Sequence, residues 1–105
     1  MHLFYDEFSD RYFESTNYIV QRAEYELNRL MLTRDYVYLN EWYEELDIDT
    51  IPHGYDLGWS TFQCMDMYWQ PWINFDHYHF ITRDGKECTG ICLVNQPIQD
   101  FEDYC

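Results

Sequence analysis

Trp72-Ile73-Asn74-Phe75-Asp76-His77-Tyr78-His79-Phe80-Ile81-Thr82 is dense in aromatic and β-branched residues and contains neither glycine nor proline. That is the composition of a strand. Arg83-Asp84-Gly85-Lys86 follows, and its Asp-Gly pair favours the type I′ turn of a β-hairpin. Glu87-Cys88-Thr89-Gly90-Ile91-Cys92-Leu93-Val94-Asn95 is the return strand, with Gly90 placed for a bulge. A lone hairpin is only marginally stable in water, so a third strand or a covering helix must accompany it.

Upstream of the hairpin the pattern is helical. Phe8, Tyr12, Thr16, Ile19, Ala23, Leu27 and Leu30 recur three or four apart, and Val20 and Met31 widen the stripe. Ser9-Asp10 and Ser15-Thr16-Asn17 each offer a cap for this first helix, and residues 2–8 fit a short strand or an arm instead. Thr33 is placed to cap a second helix over 34–46, with Asp35 in its first turn. Val37, Leu39, Trp42, Tyr43 and Leu46 form its apolar side. Asp47 to Gly54, with Pro52, then breaks the helix. Between Trp59 and Pro71, the residues Trp59, Phe62, Met65 and Trp69 fit a further short helix, and Gln96 to Cys105 reads as irregular or a short last strand. The expectation is one acidic α+β domain over residues 1–105, two N-terminal helices packed on a small antiparallel sheet that contains the C-terminal hairpin.

The 105 residues suffice for one core, and 21% aromatics supply the area to build it. Charge is the outlier. Twenty acidic residues face six basic ones, for a net of −14, where a small soluble domain ordinarily carries roughly 2–8 in magnitude. The first 50 residues carry −8 and the rest −6, so no detachable acidic tail accounts for it. Direct binding of nucleic acid is not expected, because that affinity rests on Lys and Arg. No secretory signal and no membrane-spanning apolar run is visible, so a cytoplasmic location with free thiols at Cys64, Cys88, Cys92 and Cys105 is expected.

No constellation points to catalysis or to a cofactor. His77 and His79 share a face of one strand, beside Asp76, and Cys88 and Cys92 likewise share a face of the partner strand. Two cysteines four apart in a strand are separated by about 13 Å, too far for one ion. Ser9, Ser15 and Ser60 lie in no nucleophile motif, and a pairing of Cys64 with His53 has no specific signal behind it. A non-enzymatic protein without metal is the expectation.

The carboxylates have an arrangement of their own. Asp6, Asp10 and Glu14 stand at i, i+4, i+8 of the expected first helix, and Glu41, Glu44, Glu45, Asp47 and Asp49 gather at the end of the second. Like charges at that spacing cost about 0.2–0.5 kcal/mol per pair, and negative charge at a helix C-terminus is unfavourable. Placements that cost stability suggest a use. A row of charges studded with aromatics imitates a phosphate backbone with its bases, and suits a groove built for nucleic acid. A strongly solvated surface is the competing reading.

Tyr38-Leu39-Asn40-Glu41-Trp42-Tyr43-Glu44-Glu45-Leu46, Gly54-Tyr55-Asp56-Leu57-Gly58-Trp59, Ile73-Asn74-Phe75-Asp76 and Asp84-Gly85-Lys86-Glu87-Cys88 together resemble small uncharacterised domains of phages, prophages and mobile elements of Gram-positive bacteria. There a helix leads through a G-D-x-x-G-W-like turn into a hairpin, although here Tyr55 separates the glycine from the aspartate. The resemblance covers roughly residues 36–95 and implies no established activity. By size, charge and implied origin the chain is similar to anti-CRISPR proteins as a class. The expected function is therefore a stoichiometric inhibitor, an acidic nucleic-acid mimic. Its expected partner is a basic nucleic-acid-binding protein such as a Cas nuclease. Asp6, Asp10, Glu14, Glu41, Glu44, Glu45, Asp47 and Asp49 would steer association, and Tyr43 or Tyr55 would anchor it. The alternative is a structural or assembly module of a phage particle.

Overall fold

Period-two burial, not helical spacing, governs the first fifteen residues. In the computed structural model, which describes residues 1–101, His2–Asp6 forms β1 with Phe4 and Asp6 turned inward. Arg11–Ser15 returns antiparallel to it as β2. Asp6 holds the turn between them, its carboxylate accepting from the Ser9 amide at 3.0 Å and from the Ser9 hydroxyl. Asp10 adopts a left-handed conformation with φ 56°, which no continuing right-handed helix can contain. The helix expected through Phe8 and Tyr12 is therefore absent, and Asp6, Asp10 and Glu14 are not neighbours on a helix face.

Thr16 starts α1, Asn17–Arg34, by accepting from the Ile19 amide. Val20, Ala23, Leu27 and Met31 are its buried stripe, with Leu30 at the margin. Asp35, at φ 72°, caps α1 in a left-handed conformation. Thr33 thus lies in the last turn of α1, its hydroxyl bonded to the Arg29 carbonyl, and does not cap a second helix. Instead Tyr36–Tyr38 forms β3, and the second helix, α2, is confined to Leu39–Leu46.

The long loop after α2 is held by one side chain. Asn40 donates to the Ile51 carbonyl at 3.1 Å and accepts from the Ile51 amide at 2.9 Å. The Asn40 amide bonds to the Gly54 carbonyl, and a Cβ at position 54 would lie 2.0 Å from the Asn40 side-chain oxygen. Only glycine fits there. Gly58–Ser60, β4, then pairs antiparallel with β3. Ser60 caps α3, Thr61–Tyr68, through the Gln63 amide. Ile98 bridges to Gly58, and Phe101 is buried beside Tyr36 and Tyr38. Residues 102–105, including Cys105, lie outside the described residues.

Phe75–Ile81 (β5) and Glu87–Leu93 (β6) form the expected hairpin. Its turn differs from the type I′ expectation. Gly85 is left-handed at φ 82° and Asp84 is not, with the Gly85 amide bonded to the Thr82 carbonyl and the Thr82 amide to the Lys86 carbonyl. That pattern is a type I turn closed by a left-handed glycine. The register runs unbroken from Phe75↔Leu93 to Ile81↔Glu87, so Gly90 makes no bulge.

The strands order as β2-β1-β6-β5, with β1 parallel to β6 and the other neighbours antiparallel. Among the described residues the fold is α+β, a mixed four-stranded sheet and a small β3–β4 pair with three helices. Phe4, Ile91 and Leu93 on the inner face meet Val20, Ala23 and Leu27 of α1, and Trp42 of α2 packs on Phe75 at 4.7 Å. Among the described residues no helix is long and apolar enough to cross a membrane. Tyr43 of α2 donates to the buried Asp6 carboxylate at 2.8 Å. This ties α2 to the β1–β2 turn, and Tyr43→Phe is expected to lower unfolding free energy by about 1–3 kcal/mol, read from urea denaturation.

Two carboxyls set an expected pH dependence. Burial holds Glu24 above its ordinary 4.5, partly offset by its contact with His77. Burial and the neighbouring Glu26 also raise Glu45, against the opposing pull of Arg22 and Arg29. Each keeps its proton to higher pH in the folded chain than in the unfolded one. Stability is therefore greatest at low pH within this window and declines as pH rises above about 4.5 through the raised values. The net charge of −14 acts in the same direction. The urea midpoint at about pH 5 should exceed that at about pH 8; the reverse order would refute this assignment.

Candidate functional site

Of the first acidic group, Asp6 is fully buried, with Ser9 and Tyr43 as its donors. Burial and the adjacent Asp6 carboxylate push the Tyr43 phenol well above its ordinary value, so it remains a hydrogen-bond donor. Arg11 lies over the Tyr43 ring at 4.8 Å. Asp6 and Tyr43 are therefore interior to the fold and offer nothing to a partner, because an inward-facing strand position opposite α2 buries both. Asp10 and Glu14 are exposed, Asp10 at the turn and Glu14 on β2.

The second group divides in the same way. Glu41 accepts from the amide of Tyr38, the N-cap of α2, at 2.9 Å and pairs with Arg34, so its side chain secures the start of that helix. Glu45 is half-buried beside α1. Glu44, Asp47 and Asp49 face solvent, and Tyr55, 54% exposed, donates to Glu44 at 2.6 Å. That bond raises the Tyr55 phenol. Asp47 and Asp49, with Ile48 between them, line a shallow groove whose other wall is Arg11, Tyr12 and Phe13 of β2. Asp47 and Asp49 thus come to lie against β2, a strand more than thirty residues away in sequence, whose Asp10 and Glu14 are exposed two residues either side of Tyr12.

The outward face of the sheet carries a row of rings that sequence reasoning missed. Tyr12 and Tyr5 lie 4.9 Å apart, Tyr5 meets Phe80 at 6.0 Å, and Phe80 meets Tyr78 at 5.8 Å. Tyr5 donates to Asp10 and Tyr78 to Glu7. These bonds help raise both phenols to about 12, the Asp10 bond leading at Tyr5 and desolvation at Tyr78. The signal was present in the strand period: Tyr78 and Phe80 alternate with His77 and His79, and Tyr5 alternates with Phe4 and Asp6.

His77 and His79 point to the inner face, where they bond to Glu24 and Thr89. Cys88 and Cys92 occupy the opposite face, so the four do not converge. Cys64 is buried, its thiol pushed up to about 11 by burial, while the His53 side chain is 83% exposed. Cys64, Cys88 and Cys92 are free thiols.

Over residues 1–102 the chain matches a family of unknown function, DUF6353, and belongs to it. Neither a curated protein nor a solved structure matches it.

The two kinds of acid separate in a stability measurement. Glu41→Gln, which weakens the cap and strands Arg34, should cost about 1–2 kcal/mol. Glu44→Gln, Asp47→Asn and Asp49→Asn should each change stability by less than about 0.5 kcal/mol in urea denaturation.

Proposed function

We propose that the chain is a stoichiometric, non-catalytic inhibitor that occupies the basic nucleic-acid-binding surface of a partner. A CRISPR effector or a similar nuclease in the cytoplasm of a bacterial cell, met by a phage or mobile-element product, is the partner of choice. The observation that carries this reading is the edge where Asp47 and Asp49 face Arg11, Tyr12 and Phe13 of β2 across a groove, with Asp10 and Glu14 exposed on either side of this stretch of β2 in the chain. These acids are exposed, whereas Arg29 and Arg34 are engaged by Glu26 and Glu41, and Arg11 by Ser9 and Tyr43. The surplus charge is left to the surface. Such a field steers a cationic partner and repels nucleic acid, which makes the protein a competitor for the same groove.

The exposed side of α3 favours a second reading. Phe62 and Met65, three apart on α3, are 59% and 47% exposed, and Trp69, the left-handed residue that ends the helix, is 84% exposed. An apolar strip of that kind suits an assembly contact in a phage particle. Sedimentation showing concentration-dependent mass, abolished by Phe62→Ser with Trp69→Ser, would support assembly; a monomer at all concentrations counts against it.

The inhibitor reading is tested by displacement. Labelled DNA bound to a candidate effector should be released by roughly stoichiometric protein. The combined variant Glu44→Gln, Asp47→Asn, Asp49→Asn should associate about tenfold or more slowly at low salt. No release from any candidate by excess protein, or association indifferent to salt, would overturn the reading.

A further inference from the structure

We infer that the open face of the four-stranded sheet is a docking surface for an arginine-bearing segment of a basic protein partner. The inference rests on the inhibitor reading and names the contact through which it would act. Tyr12, Tyr5, Phe80 and Tyr78 run without interruption from the edge strand β2 to the edge strand β5. Tyr78 lies flat because its neighbour on β6 is Gly90: a Cβ there would sit 2.2 Å from the ring. Glycine lowers the floor, and the ring crosses β6 until its hydroxyl reaches Glu7 at the end of β1. Tyr12 remains 55% and Tyr78 37% exposed.

The ring row is lined with carboxylates. Asp10 and Glu7 hold the phenols of Tyr5 and Tyr78, and each keeps oxygen lone pairs for a second donor. Glu14 on β2 and Asp76 on β5 share this face and are exposed. The cations nearby are Arg83 and Lys86 at the tip of the β5–β6 hairpin, beside Asp84 and next to Leu3 and Tyr12. The rings fill the middle of the face, and its Glu7–Asp10 end, with Asp76, is acidic. Exposed π-faces alone would also suit the bases of single-stranded RNA, but carboxylates on both phenols repel its phosphates. A guanidinium satisfies both features, stacking on a ring while its N–H fork meets a carboxylate. A lysine ammonium meets the carboxylate but is hydrated too strongly to gain as much from the ring.

The test uses the intact protein with three fluorescent probes: an arginine oligopeptide, a lysine oligopeptide of equal length and charge, and an oligouridylate RNA. The arginine peptide should bind about tenfold more tightly than the lysine peptide, and the RNA should not bind. Combining Tyr12→Thr and Tyr78→Thr, which keeps charge and strand propensity, should abolish the preference. In case that variant does not fold, amide chemical shifts of the unaltered protein provide a second readout. The arginine peptide should move signals of β1, β2, β5 and β6. Equal affinity for the two peptides, a preference that survives in a folded variant, shifts confined to α2 and α3, or binding of the RNA would each overturn the inference. Should the arginine preference fail while DNA is still displaced from the effector, this contact falls and the inhibitor reading stands. If displacement fails while the preference holds, the reading falls and the surface remains.

Discussion

A single buried carboxylate organises one end of this molecule. Asp6 is removed from solvent, and a charge so placed is tolerable only with donors around it. The Ser9 amide and hydroxyl supply two, closing the β1–β2 turn, and the Tyr43 hydroxyl supplies a third from α2. Local turn and tertiary docking therefore share one acceptor, Oδ2. Because Asp6 faces inward, the period of β1 sends Leu3 and Tyr5 outward, and the pairing of β1 with β2 and β6 propagates that choice across the sheet. The ring row on the open face is a consequence of which way this strand is turned.

The irregular segments depend on a comparable device. Asn28, Asn40 and Asn95 each bridge a stretch of backbone that has no strand partner: Ile73, Ile51, and Trp72 with Asn74 respectively. Backbone groups buried under loops need partners, and a side-chain amide offers donor and acceptor together. The Asn40 clamp holds the loop after α2, which begins at Asp47, the C-cap of that helix, and carries Asp49.

The acids thus have three occupations. Asp6 and Glu41 build the fold, Glu24 and Glu45 sit half-buried between elements with carboxyls raised by burial, and Asp10, Glu14, Glu44, Asp47 and Asp49 face water. Their one-letter codes do not distinguish these roles. The four-residue spacing of Asp6, Asp10 and Glu14 satisfies a helical row, yet it also satisfies period two in part, and Asp10 in a left-handed turn decides between them. Thr33 misled for a related reason: a threonine near a helix end reads as a cap, but the left-handed residue two positions on shows that the helix there is ending.

By itself the sequence determined the α+β class, the β5–β6 hairpin, the burial of Val20, Ala23, Leu27 and Met31 along α1, though not of Ile19, and the great excess of negative charge. These follow from local composition and period, which act over a few residues and need no knowledge of distant partners. The tertiary structure alone decided the parallel pairing of β1 with β6, the burial of Asp6 and Tyr43, the exposure of Phe62 and Trp69, and the meeting of Asp47 with Tyr12. Each of these depends on which faces of separate elements come together. That is a balance of burial and hydrogen bonding between residues far apart in the chain, on which local spacing is silent.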